Sequence, residues 1–295
     1  MKMFNKVVII GTGLIGGSLG LALKKQRLAR QVVGLNRHRR NAKLAKKAGA
    51  IDSIGESLEV VSDADLVILA TPILSIIDFA EKIAKKIKKD CLVIDVGSTK
   101  ERIVSELSVL IPNFLGCHPL AGSEKKGIVN LQDRIFKGSI CVITPTANTN
   151  PRILNKVKLL WKKLGAKIVI LSAKKHDQIL AFTSHLPHAL AFSLIGSIPD
   201  QCLLLSSSGL RDTTRISSSD AHLWSEIFLS NRSNLLGALS IFQNKLTTLK
   251  LALESKNERQ LTKILVSANK KREKLGSLLL LMAQPEQVKV QSLKF

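Results

Sequence analysis

The stretch Val7–Ser18 (VVIIGTGLIGGS) decides the fold, because an apolar run leads directly into a glycine-rich turn and then into the helical pattern Leu19–Lys25. A lone GxGxxG motif is weak evidence, but one that follows a strand and opens a helix within a βαβ unit is typical of dinucleotide binding. Gly11 allows the tight turn, Gly13 lets the main chain approach a pyrophosphate, and Gly16 permits close packing of helix and strand. The helix N-terminus supplies N–H groups for phosphate oxygens.

Seven short apolar runs predict β-strands, and amphipathic stretches between them predict helices. The predicted strands are Lys6–Ile10, Gln31–Leu35, Leu66–Ala70, Cys91–Asp95, Asn113–Cys117, Ile140–Thr144 and Lys167–Leu171. The predicted helices include Leu14–Gln26, Asn41–Ala48, Ile76–Ile87 and Arg152–Leu164. After Leu171 only helical patterns remain, with breaks near Gly196–Asp200 and Ser206–Arg211.

These patterns predict an α/β fold with two domains, because strands that alternate with helices are typical of a parallel sheet. A Rossmann-like, mostly parallel sheet domain would comprise residues 1–172. An all-helical C-terminal domain for substrate binding and dimerisation would comprise residues 173–295. Six apolar residues of the helical half form one seam along a helix: Leu235, Leu239, Phe242, Leu246, Leu249 and Leu253. This a/d spacing fits both packing inside the domain and a subunit interface.

The composition is that of a folded protein with a very basic surface. Of the 295 residues 45% are hydrophobic, the formal net charge is +23 and the pI is about 10.1. Such a charge is compatible with a nucleic acid, a membrane surface or an anionic small molecule as partner. Most lysines, as in Ala84–Lys89, lie on the outer faces of predicted helices, and the few aromatic residues do not alternate with them as a base-stacking platform requires. A solvated lysine-rich surface without a nucleic-acid site is the favoured interpretation.

Membrane, secretion and metal signals are not expected. No uncharged apolar run is expected to reach the roughly 18–20 residues that cross a bilayer, and the segment before the first strand is too short for a signal peptide. We therefore expect a cytoplasmic protein without a membrane partner. The four cysteines are scattered without CxxC spacing, three of them in apolar strand-like runs. This favours free, buried thiols and predicts no metal site.

The end of the second predicted strand indicates which dinucleotide binds. Sites for NAD usually place Asp or Glu there, roughly 20 residues after the glycines, to accept from the ribose 2′-hydroxyl. Here Asn36 and Arg37 stand at that place, and the first acidic residue of the chain is Asp52. A neutral amide beside a guanidinium suits a 2′-phosphate, so the sequence predicts NADP as the cofactor. The predicted cofactor contacts are Gly11, Thr12, Gly13, Leu14, Ile15, Gly16, Asn36, Arg37, Thr71 and Pro72.

Polar residues follow several predicted strands, at the sheet edge where open α/β sheets collect ligands. Leu69–Pro72 (LATP) and Asp95–Lys100 (DVGSTK) are two such segments. A third, Gly116–Gly127 (GCHPLAGSEKKG), places His118 at a predicted strand end before a proline. An imidazole at such a position can hydrogen-bond a reacting hydroxyl.

Three motifs of the helical half complete a family pattern. They are Thr183–His188 (TSHLPH), Gly209–Ile216 (GLRDTTRI) and Ser219–Trp224 (SDAHLW), and together with GCHPLAGSEKKG they carry a resemblance that extends over nearly the whole chain. In this combination and order the sequence resembles the prephenate/arogenate dehydrogenase family of tyrosine biosynthesis, most of all an NADP-dependent arogenate dehydrogenase. The resemblance implies oxidative decarboxylation of a cyclohexadienyl substrate, in which hydride leaves the carbon that bears the ring hydroxyl and CO2 departs. It also implies a homodimer through the helical domain.

The resemblance also implies residue roles. His118 would accept the proton of the 4-hydroxyl, Ser98 would orient that hydroxyl, and Arg215 would bind a substrate carboxylate. The other substrate-pocket residues implied in this way are Ser184, His188, Glu124 and Trp224. The second histidine of TSHLPH, His185, is interpreted as a packing residue.

Several functions remain open at this stage. Oxidation of arogenate to tyrosine with NADP is favoured, and oxidation of prephenate to 4-hydroxyphenylpyruvate is the alternative. A different two-domain reductase of this architecture would not need His118, the SHLPH motif and Arg215 together. A non-catalytic, basic nucleotide- or RNA-binding protein with this fold is disfavoured because His118, Ser98 and Arg215 are present.

Overall fold

A computed structural model describes residues 2–121 and 131–283 of the chain. The described residues form two compact units, one up to Arg232 and one from Ser233 onward. The first unit contains the sheet and the helices that follow it as far as Ser230. The predicted pocket residue Glu124 lies outside the described residues.

Eight strands form one sheet in the first unit. They are β1 (Phe4–Ile10), β2 (Ala29–Leu35), β3 (Ser53–Ile54), β4 (Leu66–Leu69), β5 (Leu92–Asp95), β6 (Phe114–Leu120), β7 (Ile140–Thr144) and β8 (Lys167–Ile170). Their order is β3-β2-β1-β4-β5-β6-β7-β8, and every neighbouring pair is parallel except β6 and β7. All seven predicted strands are confirmed. The edge strand β3 was not predicted, because two residues carry no periodic pattern.

Helices connect the strands and cover both faces of the sheet. In the first unit they are α1 (Leu14–Lys25), α2 (Arg39–Lys47), α3 (Ile73–Ala84), α4 (Glu101–Leu110), α5 (Pro151–Lys163), α6 (Ala173–Leu180), α7 (Leu186–Ser197), α8 (Asp200–Leu203), α9 (Ser208–Thr214) and α10 (Ala221–Ser230). The residues at the start of α5 explain why this helix begins at Pro151. Pro151 occupies the first turn, where its missing N–H is not needed, and the Asn150 side chain accepts from the N–H of Arg152.

The core consists of two layers, one on each side of the sheet. Successive residues of β1 point alternately to the two sides, so Val7 and Ile9 join one cluster while Val8 and Ile10 join the other. All four are completely or almost completely buried, as is typical of a central parallel strand. Phe136 and Trp161 pack edge to face within the first cluster. The four cysteines are free thiols as predicted; three are buried, and Cys202 is exposed.

Strand β6 is longer than predicted, and this changes the setting of His118. The prediction ended the strand at Cys117, but β6 continues to Leu120 because it pairs antiparallel with β7, His118 lying opposite Val142. Pairing with β5 stops at Gly116. Beyond that point Pro119, which has no N–H to donate, is tolerated because β6 is hydrogen-bonded on one side only. His118 is therefore held within a strand rather than beyond its end.

Helices α6 and α7 form one continuous helix that follows the last strand, β8. Between α6 and α7 lies one π-helical turn, Ala181–His185. Pro187 explains this turn, because a proline clashes with the carbonyl four residues earlier in a regular α-helix.

Ala173–Ser197 is the one helix of the described ranges that is long and apolar enough to cross a membrane by length and composition. Our expectation that no uncharged run would reach that length was wrong, because residues 178–199 contain no Asp, Glu, Lys or Arg. Buried polar side chains of this helix nevertheless form hydrogen bonds within the first unit. His176, Asp177 and His185 are buried and hydrogen-bonded there.

The second unit consists of helices from the end of the chain. Its described part contains α11 (Arg232–Glu254, which begins one residue earlier) and α12 (Glu258–Ala283). The predicted seam runs along α11. Leu235 is buried, whereas Leu246 and Leu253 are more than half exposed in the single chain.

Candidate active site

The glycine turn between β1 and α1 has the shape that a pyrophosphate needs. Gly11 has a φ of +99°, and a Cβ there would lie 2.5 Å from the carbonyl oxygen of Ala70. A Cβ at Gly16 would lie 2.0 Å from the Gly11 oxygen, so helix and turn are in direct contact. Around Gly13 there is nothing within 4 Å of a Cβ position, which leaves the main chain open to a ligand. These features fit the phosphates of a dinucleotide.

The loop after β4 lies against this turn, because a Cβ at Gly11 would meet the main chain of Ala70 and Thr71. Thr71 follows the strand, and Pro72 precedes the first turn of α3. Within the described part of the chain the Thr71 hydroxyl oxygen is buried without a hydrogen-bond partner. A buried polar atom in this state normally has a partner, and a cofactor beside the turn would supply one. Leu14 and Ile15 begin α1, so their main-chain N–H groups belong to the free helix end.

Asn36 is held in place at the end of β2. Its side-chain amide donates to the hydroxyl of buried Thr12 over 3.0 Å, and its carbonyl oxygen accepts from the N–H of His38 over 3.0 Å. Arg37 is exposed. Helix α2 then starts with two more arginines and has no acidic residue in its first turn. The structure thus places a neutral amide and a cation where an NAD site usually has a carboxylate.

A completely buried ion pair lies below the site at the end of β5. Lys100 and Asp95 are both inaccessible to solvent, and Lys100 Nζ donates to Asp95 Oδ2. The Asp95 carboxylate also accepts from the N–H groups of Gly97 and Cys117, which ties β5 to β6. Burial raises the pKa of Asp95 and the charge of Lys100 opposes this. A Cβ at Gly116 would lie 2.4 Å from Oγ1 of Thr144 and 2.8 Å from Cγ2 of Val104, so only glycine fits beside these two side chains.

His118 is the first of three polar residues joined in a row. Its Nδ1 lies 2.8 Å from Nε2 of His176, and Nδ1 of His176 lies 2.7 Å from Oδ1 of Asp177. Burial lowers the pKa of His118 well below its usual value, and the positive charge of Lys100 acts in the same direction. His118 is therefore a neutral imidazole at neutral pH, which is the form that accepts a proton.

Asp177 also fixes the start of helix α4. Its two carboxylate oxygens accept from the N–H groups of Lys100 at 2.8 Å and Glu101 at 2.9 Å. Asn231 donates to the Asp177 carbonyl at 2.8 Å. Asp177 therefore links the loop after β5, helix α6 and the end of α10.

Four predicted substrate residues from the motifs TSHLPH, GLRDTTRI and SDAHLW lie on the helices that follow the sheet. The His188 ring stacks on Trp224, with ring centroids 3.4 Å apart and an angle of 18° between the planes. His188 Nδ1 lies 2.9 Å from the carbonyl oxygen of Ser184, which fixes the ring. Burial and the nearby cation of Arg215 lower the pKa of His188. The structure therefore brings these four predicted substrate residues into one group.

His185 has the packing role that was predicted for it. It is buried, its Nδ1 lies 3.0 Å from the Asn231 amide, and its ring meets Trp224 edge on. Burial lowers its pKa to about 4. The neutral ring then fits this apolar position.

Two features of the site were not predicted from the sequence. His176 and Asp177 were not singled out, although an adjacent His–Asp pair at the start of a helix after the last strand was a visible signal. Lys100 was quoted within DVGSTK without a role. Ser98, which was predicted to orient the substrate hydroxyl, is partly exposed in the same loop. The described residues contain no group of three or more His, Cys, Asp or Glu side chains that could hold a metal ion.

Comparison with known families decides which proteins share this arrangement. The model of the prephenate dehydrogenase nucleotide-binding domain matches residues 19–170, and that of the prephenate dehydrogenase dimerization domain matches residues 172–267. The chain belongs to the prephenate dehydrogenase family. The resemblance is thereby confirmed at the level of the prephenate/arogenate dehydrogenase family, without the finer likeness to an NADP-dependent arogenate dehydrogenase. The predicted fold class, a mostly parallel α/β nucleotide-binding domain followed by a helical dimerization domain, is confirmed as well. The chain is an oxidoreductase of the prephenate/arogenate dehydrogenase family of tyrosine biosynthesis.

Individual relatives agree with this assignment. The prephenate dehydrogenase of Bacillus subtilis (strain 168) is 30% identical over 285 residues, which cover 93% of this chain and 77% of the relative. A crystal structure of prephenate dehydrogenase from A. aeolicus, in complex with hydroxyphenyl propionate and NAD+, has a TM-score of 0.85 and 31% identity, with 92% and 98% of the two chains covered. The structure of Synechocystis arogenate dehydrogenase has a TM-score of 0.79 and 30% identity, with 92% and 99% covered.

Proposed function

We propose that this chain oxidises arogenate to tyrosine with NADP, by oxidative decarboxylation of the cyclohexadienyl ring. The observation that carries the proposal is the neutral, partly buried His118, set in the same unit as the Arg215–His188–Trp224 group. His118 supplies a base for the ring hydroxyl. The Arg215–His188–Trp224 group supplies a cation for a substrate carboxylate and aromatic surfaces for the substrate ring.

The roles of the residues follow from this placement. His118 accepts the proton of the 4-hydroxyl as the hydroxyl-bearing carbon becomes a carbonyl-like centre. Ser98 orients that hydroxyl, and Arg215 binds a carboxylate through its guanidinium fork. Ser184, His188, Glu124 and Trp224 shape the remaining pocket. When bound, the nicotinamide accepts the hydride from the ring carbon.

The test is reduced cofactor formed by the purified protein on each substrate. Arogenate and prephenate are each supplied with NADP and with NAD in a matched set of four assays. We expect the highest kcat/KM for arogenate with NADP. Higher kcat/KM on prephenate would assign the alternative substrate, which the name of the Bacillus subtilis relative favours. The absence of reduced cofactor in all four assays would reject the function.

The proposal of NADP rests on the end of β2. Asn36 carries no charge and is fixed by Thr12, so it does not repel a 2′-phosphate. Arg37 follows it on the surface, whereas Arg39 is paired with Glu56. Arg37, which is next to Asn36, is the side chain to which we assign the phosphate.

The double variant Asn36→Asp with Arg37→Ser should shift cofactor preference toward NAD. A hydrogen bond to a charged group contributes about 1.5–3 kcal/mol, so the ratio of kcat/KM for NADP to that for NAD should fall by about 10- to 100-fold. Steady-state kinetics with both cofactors measures this ratio. Arg30→Ser is the matched control, because Arg30 is an exposed arginine near the other end of the same strand. A wild-type protein that uses both cofactors equally would contradict the assignment.

We also propose that the protein is a homodimer through its helical domain. The support is the dimerization-domain match together with the apolar residues of α11 that a single chain leaves exposed, Leu246 and Leu253 among them. Sedimentation at micromolar concentration should give twice the chain mass of 32.2 kDa. A stable monomer at that concentration would exclude the dimer.

A further inference from the structure

We infer that His176 and Asp177 are positioning residues that fix the proton of His118 on Nδ1, so that Nε2 offers its lone pair to the substrate. The inference deepens the proposed function and rests on its assignment of His118 as the base. Two hydrogen bonds in series carry it, from His118 to His176 at 2.8 Å and from His176 to Asp177 at 2.7 Å.

Asp177 determines which nitrogen of His176 carries the proton. An ionised carboxylate can only accept hydrogen bonds. Both of its oxygens accept main-chain N–H groups at the start of α4, so the carboxylate acts there as an acceptor. The contact between Asp177 Oδ1 and His176 Nδ1 therefore requires that the histidine nitrogen carries the proton.

His176 in turn determines which nitrogen of His118 carries the proton. It is completely buried, and burial lowers its pKa although the hydrogen bond to Asp177 opposes this. A neutral imidazole has one N–H and one acceptor nitrogen. Because the proton is on Nδ1, Nε2 is the acceptor, and His118 Nδ1 must donate to it. His118 is itself neutral, so its second nitrogen, Nε2, is left without a proton.

The hydrogen bond between His118 and His176 is compatible with both protonation states of His118. The proton that leaves the substrate hydroxyl binds to Nε2 of His118, and the bond from Nδ1 to His176 is kept. The charged and titratable groups that face His118 are His176, His185 and the cation of Lys100. Together with burial these groups lower the pKa of His118.

A purely structural role is the competing explanation. In that case Asp177 only caps α4 and His176 only fills space beneath the sheet edge. Both explanations predict a loss of stability when His176 is replaced. They differ in the protonation site of His118, which packing alone does not determine.

Two substitutions of His176 separate these explanations. In His176→Gln the side-chain oxygen can accept from His118 while the amide group donates to Asp177. In His176→Phe the ring volume is kept but both hydrogen bonds are lost. We expect His176→Phe to lower kcat by about 10²-fold or more, because wrong tautomers cost about 10⁴-fold in a serine protease triad. His176→Gln should stay within about tenfold of the wild type, and KM should change little in both.

The decisive readout is the ¹⁵N spectrum of the imidazole rings, which does not depend on catalysis. Long-range ¹H–¹⁵N correlations should show His118 protonated on Nδ1 in the wild type and in His176→Gln, with the signals assigned from His118→Asn. In His176→Phe a population protonated on Nε2 should appear. His185→Gln is the control, because His185 is buried on the same continuous helix but bonds to Asn231 instead, and it should leave the His118 tautomer unchanged.

Each outcome has one meaning. Protonation on Nε2 in the wild-type protein overturns the inference, and so does an unchanged His118 tautomer in His176→Phe. If His176→Phe fails to fold, the wild-type and His176→Gln spectra still decide. If the tautomer is as inferred but neither substrate is oxidised, the proposed function fails and the tautomer assignment stands.

Discussion

His118→Asn should lower kcat by about 10²–10⁴-fold, the range expected for the loss of a general base, while the affinity for NADP is unchanged. Asparagine keeps a polar side chain opposite His176 but has no nitrogen that binds a proton at neutral pH. The glycine turn that is proposed to bind the cofactor lies between β1 and α1, whereas His118 lies in β6. The two functions should therefore separate in steady-state kinetics and in NADP titrations.

Arg215→Ala is the control for this experiment. It removes a carboxylate contact that is present before the reaction, so it should mainly raise KM. A His118→Asn protein that kept more than about a tenth of the wild-type kcat would contradict the assignment of the base. His188, whose pKa is also lowered by burial, would then be the next candidate.

The pH profile of the wild type gives an independent view of the same residue. The pKa of His118 is lowered in the folded protein, so the imidazole stays unprotonated until the pH falls below the usual histidine value of 6.5. Activity that depends on the neutral base is lost only below that point, and the acid limb of kcat should lie under pH 6.5. Because the acid limb is expected to disappear in His118→Asn, the two profiles together assign it.

Local patterns account for the part of the fold that was predicted correctly. The run Val7–Ile10 is apolar on both faces, and only a central parallel strand buries such a run completely. Gly11, Gly13 and Gly16 each have a geometric task within the turn, so their spacing was informative without any distant contact. The neutral residue Asn36 after β2 was also visible in the sequence, whereas the preference for NADP that we inferred from it stays a prediction.

The features that were missed depend on residues that meet only after folding. His118 and His176 are 58 residues apart in the chain, and nothing in either neighbourhood encodes their contact. The extension of β6 past Cys117 requires the antiparallel partner β7. The charged residues of DVGSTK gave no sign that Lys100 would be folded inward, because lysine is almost never completely buried unless it is paired.

Lys100→Met should lower the free energy of unfolding by about 3–5 kcal/mol, the usual result of removing one partner from a buried ion pair. Methionine has a similar length and leaves no cavity that would add a large packing cost. The Asp95 carboxylate would then be buried with only the N–H groups of Gly97 and Cys117 as partners. Urea unfolding followed by tryptophan fluorescence measures this loss, because Trp161 and Trp224 both lie in the unit that contains the pair.

A double-mutant cycle separates the unpaired charge from other effects of the substitution. Adding Asp95→Asn to Lys100→Met removes the buried charge and should recover more than half of the lost free energy. Arg102→Met is the matched control on the same helix, α4. Arg102 pairs with Glu106 at the surface, and such exposed pairs contribute only about 0.2–1 kcal/mol.

Lys100→Met is expected to lower the free energy of unfolding, and the pH dependence of this deficit tests whether the unpaired Asp95 causes it. Without the opposing cation, burial should raise the pKa of Asp95 further above that of the unfolded chain. A group whose pKa is raised on folding stabilises the folded state as it becomes protonated, so the deficit should shrink as the pH falls toward the unfolded value near 3.8. A deficit below about 1 kcal/mol, or one that is the same at every pH, would show that the buried charge of Asp95 does not depend on Lys100.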